Sequence, residues 1–61
     1  MSPRVLTEKA ARKDGYHSMT KPYALPDESW MLANVVADMK RTGADFVLVE
    51  MKPEQVEVWR K

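Results

Sequence analysis

The chain has 61 residues, no cysteine and a formal net charge of +1. This length leaves room for one small domain, residues 1–61, and the missing cysteines exclude disulfides, thiolate metal sites and cysteine nucleophiles. A composition of 44% hydrophobic and 31% charged residues is typical of a folded chain, and the balanced charge argues against a polybasic arm or an acidic nucleic-acid mimic.

The first predicted element is a short N-terminal helix. Ser2 and Pro3 offer one start, as N-cap and first helical residue, and Thr7 offers a second start one turn later. Residues 8–13 are good helix formers, and Asp14-Gly15 supplies a stop. The helix is expected to pack against a larger element, because it has few apolar residues of its own: Val5, Leu6, Ala10 and Ala11.

Residues 16–20 alternate bulky and small side chains, a pattern compatible with a short third strand. Pro22 and Pro26 then interrupt regular ladder pairing, so residues 21–26 are expected to form an extended, ordered connection.

The main helix is predicted over residues 26–41. Pro26 opens it, Asp27 and Glu28 lie in its first turn near the positive end of the helix dipole, and Thr42-Gly43 ends it. On a helical wheel, four apolar residues share one stripe that we expect to face the core: Leu32, Val35, Val36 and Met39.

A C-terminal β-hairpin follows, with strands over residues 46–51 and 56–59. If Pro53-Glu54 forms a two-residue loop, Met51 pairs with Val56 and Val49 with Val58, which gives an aliphatic face that should cover the main helix. The sequence therefore predicts an α+β fold: a short N-terminal helix and one main helix packed on a small antiparallel sheet.

Trp30 lies roughly 140–160° from the core stripe of the main helix, on its polar side. In one interpretation residues 16–25 fold over this indole and cover it. In the other it stays exposed as the centre of a protein-binding surface, because tryptophan is enriched at such centres. The predicted partner-binding residues are Trp30, Arg41, Tyr16 and Tyr23.

The expected pairing places Phe46, Leu48 and Trp59 on the outer face of the hairpin. Either the first helix and residues 16–25 cover these side chains, or they form the interface of a structural homodimer, since a chain this short has few elements with which to cover both faces.

The first third of the chain carries an excess of cations: Arg4, Lys9, Arg12, Lys13 and Lys21. With Tyr16 and Tyr23 close by, this set suggests an alternative function, in which cations follow the phosphates of a nucleic acid and rings stack on its bases. The other interpretation is that three cations on a short helix form its solvated face.

The sequence contains no motif for nucleophilic catalysis, metal binding or phosphate binding. His17 and Ser18 would point to opposite faces of an extended strand and cannot form a nucleophile–base pair. One histidine, dispersed carboxylates and isolated glycines give no metal site and no phosphate-binding loop, so we expect no cofactor and no enzyme. Short apolar runs and the opening Met-Ser-Pro-Arg predict no membrane segment or secretion signal, and the cytoplasm is the expected compartment.

Residues 6–11, with Gly15 and Thr20, resemble the opening of an excisionase-type or MerR-like helix-turn-helix. Lys21-Pro22-Tyr23 stands where a recognition helix would continue, so DNA-binding function does not follow. In size and lack of motifs the chain is similar to phage and mobile-element proteins that block a host enzyme, such as anti-CRISPR proteins. The sequence therefore predicts a non-enzymatic module that binds and inhibits or regulates another protein.

Overall fold

A computed structural model of the chain describes residues 3–61. It contains two helices and a sheet of five strands, and the α+β class is confirmed. In chain order the elements are β1 (Val5–Leu6), α1 (Glu8–Lys13), β2 (His17–Ser18), β3 (Tyr23–Ala24), α2 (Ser29–Thr42), β4 (Phe46–Lys52) and β5 (Gln55–Arg60).

Strand β5 lies in the interior of the sheet. One edge pairs with β4 in the predicted antiparallel hairpin, and the other pairs first with β2 and then with β3, both antiparallel. Strand β1 pairs with β4 in parallel, so the sheet is mixed and the expectation of a purely antiparallel sheet is wrong. Val5 and Leu6 form this strand and do not belong to the first helix.

Helix α1 uses the later of its two predicted starts. The Thr7 hydroxyl accepts a hydrogen bond from the Ala10 N–H at 3.2 Å, as an N-cap does. Pro3 does not begin a helix, and Ser2, its proposed N-cap, lies outside the described residues. The helix ends in a Schellman motif with Gly15 at φ 90°, because the Tyr16 N–H donates to the Ala11 carbonyl.

Helix α2 begins at Ser29, three residues later than predicted. A turn over residues 25–28 precedes it, the Leu25–Pro26 peptide bond is cis, and neither Asp27 nor Glu28 lies in the first helical turn. The predicted end is confirmed: Gly43 has φ 74°, and the Ala44 N–H donates to the Met39 carbonyl in a second Schellman motif.

The predicted two-residue loop of the hairpin is confirmed, but the predicted register is wrong. Lys52 pairs with Gln55 across Pro53-Glu54, and a bulge between Glu50 and Lys52 then shifts the pairing so that Val49 faces Glu57. Glu54 has φ 64°, and proline followed by positive φ is the pattern of a type II turn. Such turns do not match the twist of paired strands, and the bulge accommodates the difference.

The bulge divides the apolar residues of the hairpin between two faces. Val47 and Val49 pack beneath α1 in the central core, and Val56 and Val58 are buried on the opposite face, where α2 contacts β5. The single aliphatic face expected to cover the main helix is therefore wrong. The buried core cluster consists of Ala11, Tyr16, Val47, Val49 and Trp59, with Leu6 and Met51 packed against it.

Residues 17–24 close the second edge of β5. The predicted short strand is present as β2, within residues 16–20, whereas β3 forms where only a connection was expected. Between them the Thr20 hydroxyl accepts a hydrogen bond from the Val58 N–H, and the Met19 N–H donates to the Val58 carbonyl. One hydroxyl thus replaces a ladder partner at the point where the strand is interrupted.

We predict that Gly43→Ala destabilises the protein by about 1 kcal/mol, because a β-carbon is strained at φ 74°. Nothing lies within 4 Å of the added atom, so the cost is conformational and not steric. Gly43→Asn is the matched control and should lose less, since asparagine tolerates this conformation. Urea denaturation followed by circular dichroism measures both; equal stability of the alanine variant and the wild-type protein would contradict the prediction.

Candidate functional site

A surface groove of about 380 Å³ lies between the N-terminal half of α2 and the segment that leads into β3. Helix α2 contributes one wall, and residues 21–23 contribute the other. Tyr23 pairs with Val56 and therefore lies on the α2 side of the sheet, where its ring reaches the groove. The groove is lined by Lys21, Pro22, Tyr23, Glu28, Trp30, Met31, Asn34 and Val35.

Trp30 is the most exposed large hydrophobic residue among residues 3–61, with 61% of its surface accessible. The core stripe of α2 faces the protein as predicted, with Met39 buried and its three other members half-buried, and this orientation leaves the indole outward. Residues 21–23 border the indole without covering it. The interpretation that residues 16–25 bury Trp30 is therefore wrong.

The polar groups of the groove are mostly unused within residues 3–61. The Glu28 carboxylate accepts a hydrogen bond from the Ala24 N–H at 2.8 Å, which ties it to the protein. In contrast, the Trp30 indole N–H, the Tyr23 hydroxyl, the Asn34 amide and the Lys21 ammonium make no hydrogen bond or ion pair with the residues that the structure describes. The groove thus combines apolar walls with free polar groups, of which the indole N–H and the ammonium donate only and the Tyr23 hydroxyl and the Asn34 amide both donate and accept.

Arg41 does not lie at the groove. It is eleven residues from Trp30, about 16 Å along the helix axis, and its guanidinium pairs with the Asp38 carboxylate. The helical wheel placed both residues on one side of α2, but a wheel shows only the angle about the helix axis and not the distance along it. The grouping of Arg41 with Trp30 is therefore not supported by the geometry.

Tyr16 is a structural residue. It is buried, its hydroxyl accepts a hydrogen bond from Arg4 at 2.9 Å and donates one to Asp45 at 2.8 Å, and Lys61 lies over its ring. A side chain with this burial has no free surface for a partner, so its proposed role as a binding residue is wrong.

Trp59 is covered by its own chain, with only 1% of its surface accessible. Its indole N–H donates to the Glu57 carboxylate at 2.9 Å, and the Arg12 guanidinium lies 5.1 Å from its ring centroid. Phe46 and Leu48 are half-buried on the opposite sheet face. The proposed dimer interface of Phe46, Leu48 and Trp59 therefore does not exist as one surface.

The proposed nucleic-acid residues are also separated. Arg4 and Arg12 are engaged within the protein, with Tyr16 and with Glu8 and Trp59 respectively. Lys9 and Lys13 point away from buried Ala11 on the outer side of α1, whereas Lys21 lines the groove on the α2 side. The five cations and two tyrosines do not gather on one surface.

His17 and the potential metal ligands are dispersed among residues 3–61. His17 is exposed and pairs with Arg60 in the sheet, and no group of three potential metal ligands occurs in the described part of the chain. Over the same residues, neither helix has the length and apolarity to cross a bilayer.

Sequence reasoning identified Trp30 and Tyr23 but missed other residues of the groove. Met31 and Val35 are four residues apart, as are Trp30 and Asn34, so each pair lies on adjacent turns of one helix side. This spacing was readable from the sequence once Trp30 had been placed outward. The contribution of Lys21 was not readable, because it depends on β3 pairing with β5.

Comparisons with protein-family models, with curated proteins and with solved structures find no match to this chain.

The two tryptophans should respond oppositely to truncation. Trp30→Ala should change the free energy of unfolding by no more than about 0.5 kcal/mol, because the indole is mostly exposed. Trp59→Ala should cost about 3–5 kcal/mol, since it leaves a cavity and removes a hydrogen-bond donor from buried Glu57. Urea denaturation measures both values, and a similar loss in the two variants would contradict the placement of Trp30.

Proposed function

We propose that the protein is a non-enzymatic binding module that uses the groove around Trp30 to hold another protein. The observation that carries the proposal is an indole with 61% of its surface accessible beside an apolar groove. Tryptophan is among the residues most enriched at the energetic centres of protein interfaces, where it contributes a large apolar surface and one directional donor.

The surroundings of Trp30 support this role. Tyr23 and Met31 extend its apolar surface, and both residue types are enriched in protein interfaces. Lys21 and Asn34 supply polar groups at the margin of the same groove. An apolar centre with a polar margin is the usual arrangement of a protein–protein interface.

The proposed mechanism is steric. The groove is formed by a helix and a sheet-bound segment that are both held by the fold, so little order is lost on binding. A partner whose functional site is covered in this way is inhibited without any chemical step. The expected compartment is the cytoplasm, because a chain without cysteine suits reducing conditions.

The two alternatives have less support. The nucleic-acid hypothesis needs five cations on one surface, and within residues 3–61 they occupy both sides of the sheet. The homodimer hypothesis used Trp59, which is internal. The analogy with inhibitors from phages and mobile elements remains a prediction from chain size and lack of motifs alone.

Affinity capture from a cell lysate tests the proposal. The wild-type protein and Met19→Ala, which truncates an apolar side chain with 45% of its surface accessible outside the groove, should retain the same partner. Trp30→Ala should bind it at least about 30-fold more weakly, as expected for a loss of about 2 kcal/mol at an interface centre. Capture of identical proteins in equal amounts by all three would overturn the proposal.

A further inference from the structure

We propose that Met31 makes the groove around Trp30 sensitive to oxidation. Conversion of its thioether to a sulfoxide by a peroxide weakens binding at the groove, and reduction of the sulfoxide restores binding. The inference rests on the proposed function and specifies how binding at that same site is regulated.

Exposure to solvent determines which methionine a peroxide reaches first. Among residues 3–61, Met19 and Met31 expose 45% and 36% of their surface, Met51 is half-buried, and Met39 exposes only 4%. Of these four methionines, Met31 is the one that lines the groove. The chain contains no cysteine, so no thiol of its own competes for the oxidant. The structure thus places an accessible, oxidisable sulfur at the candidate binding site.

The oxidation transfers one oxygen atom and two electrons. The Met31 sulfur attacks one oxygen of hydrogen peroxide, and the S–O bond forms as the O–O bond breaks. The transferred oxygen gives its proton to the departing hydroxide, which leaves as water. Methionine sulfoxide reductases reverse the change: two thiols of the reducing system become a disulfide, and the oxygen leaves as water.

A sulfoxide changes the chemical character of the groove. Met31 follows Trp30 in the chain and lies one helical turn from Val35, so it belongs to the apolar lining that these residues form. The sulfoxide is polar and accepts hydrogen bonds. A partner that packs an apolar side chain there must remove water from the new oxygen, which costs binding free energy when the complex offers that oxygen no donor.

A polar neighbour on α2 strengthens the effect. Asn34 lies three residues from Met31, so the two side chains lie on one side of the helix, and both line the groove. The Asn34 amide has no hydrogen-bond partner within residues 3–61 and can donate to the sulfoxide oxygen. Oxidation therefore replaces an apolar thioether by a polar pair at the place where the partner binds.

The packing of the protein does not depend on the Met31 sulfur. The buried core cluster does not include Met31, and burial shields Met39, the methionine that α2 turns to the interior, from the oxidant. We therefore expect peroxide to change binding at the groove before it unfolds the chain.

The test compares the wild-type protein, Met31→Leu and Met19→Leu before and after treatment with dilute hydrogen peroxide. Leucine keeps an apolar side chain of similar volume but has no sulfur. Met19→Leu is the matched control, because it removes the other exposed thioether, which lies outside the groove. Mass spectrometry of peptides identifies the oxidised residues, and Met19 and Met31 should be oxidised before Met39.

Binding is measured as retention, from one cell lysate, of the proteins whose capture depends on Trp30, and each variant is compared with its own untreated form. Peroxide should lower retention about tenfold for the wild-type protein and for Met19→Leu, as expected when an unpaired polar group is buried. It should not change retention by Met31→Leu. Incubation with methionine sulfoxide reductases should restore the lost retention, which damage to an indole ring would not allow.

The two tryptophan indole N–H signals in a two-dimensional ¹H–¹⁵N NMR spectrum separate a local change from unfolding. Oxidation should shift the signal of Trp30, beside Met31, and leave the signal of internal Trp59 in place. A shift of both signals, or an equal loss of retention by all three proteins, would overturn the inference.

The proposed function is judged separately. Equal retention by untreated Trp30→Ala and the untreated wild-type protein overturns the proposed function and this inference with it. Retention that depends on Trp30 but survives complete oxidation of Met31 overturns the inference alone.

Discussion

Strand β5 is the element around which the remaining structure is arranged, because both of its edges and both of its faces are occupied. Val56, Glu57, Val58 and Trp59 are consecutive and all buried, a pattern that requires a covering layer on each side of the sheet. Helix α1 supplies one layer and α2 the other. Residues 17–24 complete the hydrogen bonds of the outer edge.

Burial of a carboxylate in this strand costs free energy, and hydrogen bonds from neighbouring side chains offset that cost. Glu57 lies in the α1-side core, where its oxygen accepts hydrogen bonds from the Ser18 hydroxyl at 3.0 Å and from the Trp59 indole. Buried polar groups are tolerated when they are paired in this way. The same pair of bonds fixes the Trp59 ring, over which Arg12 lies. The larger of the two cores is therefore organised by one indole, one carboxylate and one hydroxyl.

The covering of both sheet faces leaves four large apolar side chains of residues 3–61 exposed: Val5, Met19, Trp30 and Met31. Helix α2 turns its stripe of aliphatic side chains to the sheet, and Trp30, which is outside the stripe, has no further element to cover it among residues 3–61. The exposed indole and the groove beside it thus follow from the orientation of α2, whose aliphatic stripe faces the sheet.

Local signals in the sequence predicted much of the fold. The N-cap at Thr7, the left-handed residue at Gly43 and the two-residue loop at Pro53-Glu54 each depend on a few neighbouring residues. The prediction of the hairpin register was wrong because the register depends on a bulge and on positive φ at Glu54. The loop contains no glycine from which a positive φ could have been predicted. Strand β1 was missed because two residues show no periodicity, and it exists only through parallel pairing with β4.

The candidate site was also predicted only in part, because some of its features follow from local sequence and others depend on contacts between distant segments. Outward placement of Trp30 follows from helical periodicity alone, so the wheel identified it. Tyr16 and Trp59 were assigned to surfaces because their burial depends on contacts between distant segments, such as the hydrogen bond from Tyr16 to Asp45. Arg41 was grouped with Trp30 because a helical wheel does not show how far apart two residues lie along the helix axis.

The division of the protein into two faces has a consequence for how its sequence can change over time. The α1-side core holds Trp59 and Tyr16, whereas the groove is built on the α2 side from residues that the core cluster does not include. Substitutions at Met31, Asn34 or Lys21 would therefore change the groove without altering the core cluster. The α2 side is constrained as well where Met39, Val56 and Val58 are buried, so the freedom to change is confined to the outer residues of the groove.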